Sequence, residues 1–175
     1  MSAIDSLYQL ERRMLTWCVR FRYRPVMMQC IRWISRSGDG YVQVFVPLLY
    51  LWLVPSDAAF HFAMLIALSF FVERVLYFSL KNTLKRKRPP EIWPDFTSFI
   101  KASDQFSFPS GHTMASFLMA GLCVQEFGMI AWPLFIWAIS VGASRVFLGV
   151  HFPTDILAGA LLGCVVAVGI FQLWL

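Results

Sequence analysis

The sequence predicts an all-α protein: a polytopic membrane helical bundle of five to six spanning helices with an amphipathic N-terminal helix. Three observations carry that expectation. Of 175 residues, 58% are hydrophobic and only 14% charged, where a soluble domain carries about 25% charged residues. The apolar residues gather in runs that approach the roughly 20 needed to cross a bilayer as a helix. Short breaks bearing Gly, Pro, Ser or Asp separate those runs. Residues 1–175 read as a single membrane-embedded domain.

The elements follow in order. Residues 1–36 form an amphipathic segment in which Leu7, Leu10, Met14 and Trp17 recur at helical spacing. Seven arginines before position 37 make it a poorer spanning helix than an interfacial one. Ser37-Gly38-Asp39-Gly40 breaks it. Five apolar spans are expected next, roughly Tyr41–Val54, Ala58–Leu80, Gly111–Phe127, Met129–Leu148 and Pro153–Leu175. Val54-Pro55-Ser56-Asp57 and the Gly128 region are tight turns between neighbours. Gly159 and Gly163 make a G-x-x-x-G suited to close helix packing. The one long connection, Pro89 to Pro109, mixes Trp93, Phe96, Phe99, Ile100, Phe106 and Phe108 with Glu91, Asp95, Lys101 and Asp104. It reads either as an interfacial loop beside a site or as a plain connector.

Composition also excludes. The formal charge of +5 is weak evidence for nucleic acid, because loop cations in such a chain record topology or meet anionic head groups. No nucleic-acid partner is expected. The four cysteines, 18, 30, 123 and 164, contain no C-x-x-C pair and suggest neither a disulfide framework nor a zinc site. MSAIDSLYQLERR lacks the basic-then-apolar pattern of a cleavable signal peptide.

Three polar clusters lie at boundaries that share one membrane face if each span crosses once. KNTLKRKRPP ends the second span, and its Lys81 and Arg88 stand seven apart. FPSGHT opens the third, offering Ser110 as a cap, Gly111 for close approach, and His112 in a helix start suited to an anion. SRVFLGVHFPTD joins the fourth and fifth, with His151 four residues before Asp155 and Arg145 just upstream. Singly, each has a plain structural reading: a basic flank that Lys85, Arg86 and Lys87 suit, a capped helix start, an ion pair between helices. Jointly they supply two imidazoles, a carboxylate and three cations, which phosphoryl transfer needs when no metal is bound.

The three stretches resemble the signature of the type 2 phosphatidic acid phosphatase superfamily: KNTLKRKRP from Lys81, PSGH from Pro109 and SRVFLGVHFPTD from Ser144, in order and at full spacing. The resemblance covers residues 81–155. It implies an integral membrane lipid phosphatase that hydrolyses a phosphomonoester or pyrophosphate of a lipid such as undecaprenyl pyrophosphate, phosphatidic acid or phosphatidylglycerol phosphate. His151 would be the nucleophile, Asp155 its orienting partner and His112 the proton donor and then base. Lys81, Arg88, Ser110, Gly111 and Arg145 would bind the phosphoryl oxygens, Ser144 being a lesser contact. It implies no metal and no cofactor, the bilayer and a lipid phosphate as partners, and a bacterial cytoplasmic membrane as location. Alternatives in the same frame are a lipid phosphotransferase using the same intermediate and a non-catalytic lipid-phosphate binder.

Overall fold

The computed structural model describes residues 3–93, 96–102 and 104–174; Asp95 of the long connection and Leu175 of the last span lie outside them. Among the described residues every regular element is helical: α1 (Ala3–Val19), α2 (Pro25–Ser37), α3 (Tyr41–Leu53), α4 (Asp57–Leu84), a single turn α5 (Pro89–Ile92), α6 (Gly111–Phe127), α7 (Pro133–Phe147) and α8 (Pro153–Trp174). The all-α, membrane-type architecture is the one the sequence predicts.

Among the described residues three helical stretches are long and apolar enough to cross a membrane: 57–92, 111–131 and 153–174. The apolar helices α3 and α7 have 13 and 15 residues, about 20 and 23 Å at 1.5 Å per residue. The outward faces of α3, α4, α7 and α8 carry exposed Phe45, Trp52, Phe71, Ile136, Leu157 and Leu161, as lipid contact requires. The chain is a multi-pass membrane protein.

Two boundaries differ from the sequence reading. The N-terminal amphipathic segment is two helices, because a 3-10 turn at Arg20–Tyr23 precedes Pro25. Proline disfavours helix in the residue before it, and Arg24 accordingly leaves the helical region (φ −109°, ψ 87°). The fourth apolar span starts at Pro133 rather than Met129. Gly128 takes φ +71° to open a second 3-10 turn, and Pro133 suits the first helical position.

Helix α6 is the hub of the bundle, with its face from Thr113 to Cys123 almost wholly buried against α4, α7 and α8. Its broadest contact is with α8, and the G-x-x-x-G makes that contact possible. A Cβ at Gly159 would meet the Ser110 carbonyl at 2.7 Å, and one at Gly163 the Met114 carbonyl at 2.4 Å. Both obstacles are backbone, so α6 and α8 would have to separate. Ser56 starts α4 by accepting a hydrogen bond from the Ala59 N–H at 3.2 Å. That helix stops after Leu84, where Lys85 turns left-handed at φ +47°. The stop delivers the basic run to the same end of the bundle as the starts of α6 and α8. At the N-terminal side, α2 packs on α7, and Trp137 Nε1–H donates to Ser37 Oγ at 2.8 Å.

Gly163→Ala is expected to destabilise the bundle by about 1–3 kcal/mol through overpacking, read as a lower Tm in detergent. Gly169→Ala, where an added Cβ meets nothing within 4 Å, should leave Tm level or slightly raised.

Candidate active site

The three polar clusters converge. Gly111, His112, Arg145 and His151 all line one cavity of about 1160 Å³. α3 contributes Val44, Pro47 and Leu48 with Gln43 to its lining, and α4 contributes Ile66, Ala67 and Phe70 with Arg74 and Tyr77. Phe99, Ile100, Lys101 and Asp104 from the long connection complete it. That connection is therefore the site-side loop rather than a plain connector. Its Phe99 N–H donates to the Leu148 carbonyl at 2.9 Å, and Gly149 (φ +74°) leaves room for the Phe96 ring, 2.8 Å from where a Cβ would stand.

His151 lies just before α8, and Asp155 occupies the first turn of that helix. The His151 Nδ1 to Asp155 Oδ2 distance is 3.6 Å, beyond hydrogen-bond reach; such contacts commonly tighten only with substrate bound. Asp155 is fully buried and has other partners. Its Oδ2 accepts from the Phe152 N–H at 2.9 Å, in the manner of half a capping box, and from Ser107 Oγ. Its Oδ1 accepts from Arg86 at 2.6 Å. Arg86 also donates to Glu11 of α1, a buried carboxylate, and to Thr154. The basic-flank reading suits the exposed Lys85 and Lys87, but Arg86 turns inward onto the Asp155 carboxylate.

His151 is almost wholly buried, and burial pushes its imidazole down to about 4; the pull of Asp155 is outweighed, with Arg88 and Arg145 adding to the depression. At neutral pH the ring is therefore uncharged, the form in which a nitrogen lone pair is available for attack.

The cations divide into two sets. Arg145, buried near the end of α7, donates from one terminal nitrogen to Ser35 of α2 at 2.7 Å. Its Nε is buried without a hydrogen-bond partner among the described residues, as an arginine kept for an anion would be. Lys81 and Arg88 are also buried, but both bind the Asp104 carboxylate. Tyr77 donates to the same carboxylate, and Arg88 further donates to the Phe106 and Val150 carbonyls. Burial would raise Asp104, yet hydrogen bonds from Lys81 and Tyr77 and the charges of Lys81 and Arg88 hold it down at about 2. The sequence placed Asp104 only as a loop acid. The structure makes it the counter-ion of two residues expected to hold phosphate.

At the second helix start, Ser110 occupies the N-cap position without capping: its hydroxyl accepts from Thr113 Oγ1 at 2.9 Å. Its backbone N–H donates to the Asp155 carbonyl at 3.2 Å, tying the second signature stretch to the third. Gly111 lies so close to Tyr77 that a Cβ would meet the ring at 2.7 Å. His112 Nε2 is 2.6 Å from Asp39 Oδ1, a partner the sequence gave no sign of. Ser144, expected as a lesser contact, turns back to the Val141 carbonyl at 2.6 Å. Among the described residues no three of His, Cys, Asp and Glu gather as a metal site would require.

The chain matches known proteins in the same region. A family model described as the PAP2 superfamily matches residues 58–175. Phosphatidylglycerophosphatase B of Bacillus subtilis (strain 168) is 39% identical over 111 residues, 57% of this chain and 52% of that protein. The bacitracin transport permease protein BcrC of Bacillus licheniformis is 32% identical over 104 residues, 59% of this chain and 51% of its own length. The aligned part of the chain thus spans about half the length of each relative. Among solved structures, a transmembrane PAP2-type phosphatidylglycerolphosphate phosphatase from Bacillus subtilis superposes with a TM-score of 0.78 at 23% identity, over 97% of this chain and 86% of that one; the likeness is one of fold.

In nitrogen-15 spectra of histidine-labelled protein, His151 should remain neutral from pH 8 down to about pH 5 and titrate near 4. A midpoint near the ordinary value of about 6.5 would show that burial does not act on it as described.

Proposed function

The chain belongs to the PAP2 superfamily, and we propose that it is an integral membrane lipid phosphatase, hydrolysing a phosphomonoester or pyrophosphate of a lipid without a metal. One observation carries the reading. A buried guanidinium with a nitrogen unpartnered among the described residues, a neutral imidazole backed by a carboxylate, and a second imidazole all border a cavity that apolar residues of α3 and α4 also line. The polar end suits a phosphoryl group and the apolar end an acyl or isoprenoid chain.

His151 attacks phosphorus, and the bond from phosphorus to the lipid oxygen breaks as His112 gives that oxygen a proton. Water then attacks the phosphohistidine, passing its proton to His112 and releasing phosphate. Asp155 steadies the His151 ring and the positive charge it gains on phosphorylation. Arg145 meets the phosphoryl oxygens with its Nε, Gly111 at the helix start offers them its backbone N–H, and Ser110, whose own N–H is engaged by the Asp155 carbonyl, offers its hydroxyl. Lys81 and Arg88 join when phosphoryl oxygens take the places that the Asp104 oxygens hold. A donor set fixed before the reaction costs little reorganisation in the transition state, which is where such stabilisation is largest.

Undecaprenyl pyrophosphate, phosphatidic acid and phosphatidylglycerol phosphate are the substrate candidates, the last supported by the name of the Bacillus subtilis relative. The bacterial cytoplasmic membrane is the proposed location, and residues 1–175 act as one domain with residues 1–36 as its amphipathic start.

Purified protein in detergent with chelator present should release phosphate from one of these lipids and yield an acid-labile phosphoenzyme after rapid quenching. His151→Ala should lower kcat by about a thousandfold or more and abolish the phosphoenzyme. Full turnover by that variant would remove the assigned nucleophile.

A further inference from the structure

Two carboxylate–imidazole contacts border the cavity, and the signature accounts for only one of them. Asp155 belongs with His151. The other joins His112 to Asp39, which lies outside the residues that the family model matches.

The turn carrying Asp39 is held in place from several sides. A Cβ at Gly38 would come within 2.7 Å of Val141 Cγ1 and 3.4 Å of Ser116 Oγ, so the turn sits directly against α6 and α7. Ser37 takes the Trp137 N–H, and Ser35, one helical turn before Asp39, takes Arg145. The Asp39 N–H donates to the Arg36 carbonyl at 3.0 Å. Gly40 then adopts φ +104° to start α3. The carboxylate therefore reaches His112 from a fixed backbone rather than from a free loop.

We propose that Asp39 is the positioning residue of the acid–base histidine, so that each imidazole of the site has its own carboxylate. The proposal rests on the phosphatase reading above. Accepting a hydrogen bond from Nε2–H, Asp39 fixes the tautomer of His112 and leaves Nδ1 to trade protons with the substrate. When the lipid leaves, the Nδ1 proton goes to its oxygen, and the ring keeps the Nε2 proton. When water attacks the phosphohistidine, Nδ1 takes the water proton and the imidazolium forms beside a negative charge.

The test uses the full-length protein in detergent with two substrates, short-chain phosphatidic acid and p-nitrophenyl phosphate. The alkoxide of the first cannot leave without a proton, whereas nitrophenolate can. Asp39→Asn should lower kcat/KM on phosphatidic acid by roughly a hundredfold, lose no more than about fivefold on p-nitrophenyl phosphate, and keep the wild-type Tm. Asp39→Glu should recover part of the loss. Equal losses on the two substrates, or no loss on phosphatidic acid, would overturn the role of Asp39 while leaving the phosphatase intact. A wild-type protein that turned over neither substrate nor any other lipid phosphate would overturn the function on which the role rests.

Discussion

One fully buried carboxylate organises the reactive end of this bundle. Asp155 has no access to water, and an ionised carboxylate there persists only if its oxygens are satisfied by charge and hydrogen bonds. The partners come from separate stretches of chain: Arg86 beyond α4, Ser107 ahead of α6, and the Phe152 N–H beside it. Each is held where Asp155 needs it, and holding them brings the three signature stretches to one place. His151 is positioned as a consequence. The glycines of α8 extend the same constraint along the bundle, because α6 can lie close to Asp155 only where Gly159 and Gly163 present no side chain.

Around that anchor the charges are arranged unevenly. Lys81 and Arg88 share Asp104 in direct ion pairs, whereas Arg145 donates to a serine hydroxyl and feels the Asp39 and Asp104 carboxylates through space. Among the described residues Arg145 is the buried cation with an unsatisfied nitrogen, and it lines the same cavity as both imidazoles. Asp104 keeps the other two cations oriented and their charge compensated. Glu11 gives the N-terminal helix a share in the arrangement, since it reaches both Arg86, the partner of Asp155, and Thr154.

Much of this was legible in the sequence, for identifiable reasons. The helices follow from apolar run length, and the converging clusters follow from motif spacing plus the count of spans. The G-x-x-x-G signalled a close contact and makes one. What the sequence hid were choices made by distant partners. Lys85, Arg86 and Lys87 look alike in a basic run, and only buried Glu11 and Asp155 distinguish the middle one. Asp104 and Asp39 sat in a loop and a turn with no spacing to link them to a lysine, an arginine or a histidine. Their roles arise from contacts across 16 to 73 positions, which local patterns do not encode. The break at Arg20–Tyr23 was more accessible, since Pro25 marks it.

The account turns on a single phosphorus being shared by the two imidazoles at the Arg145 end of the cavity. A structure determined with orthovanadate tests that directly, because vanadate adopts the five-coordinate geometry of the transferring phosphoryl group. Vanadium bonded to a His151 ring nitrogen, with oxygens on Arg145 Nε and within hydrogen-bond reach of His112, is the predicted result. Vanadate held away from His151, or two imidazoles too far apart to reach one vanadium, would contradict it.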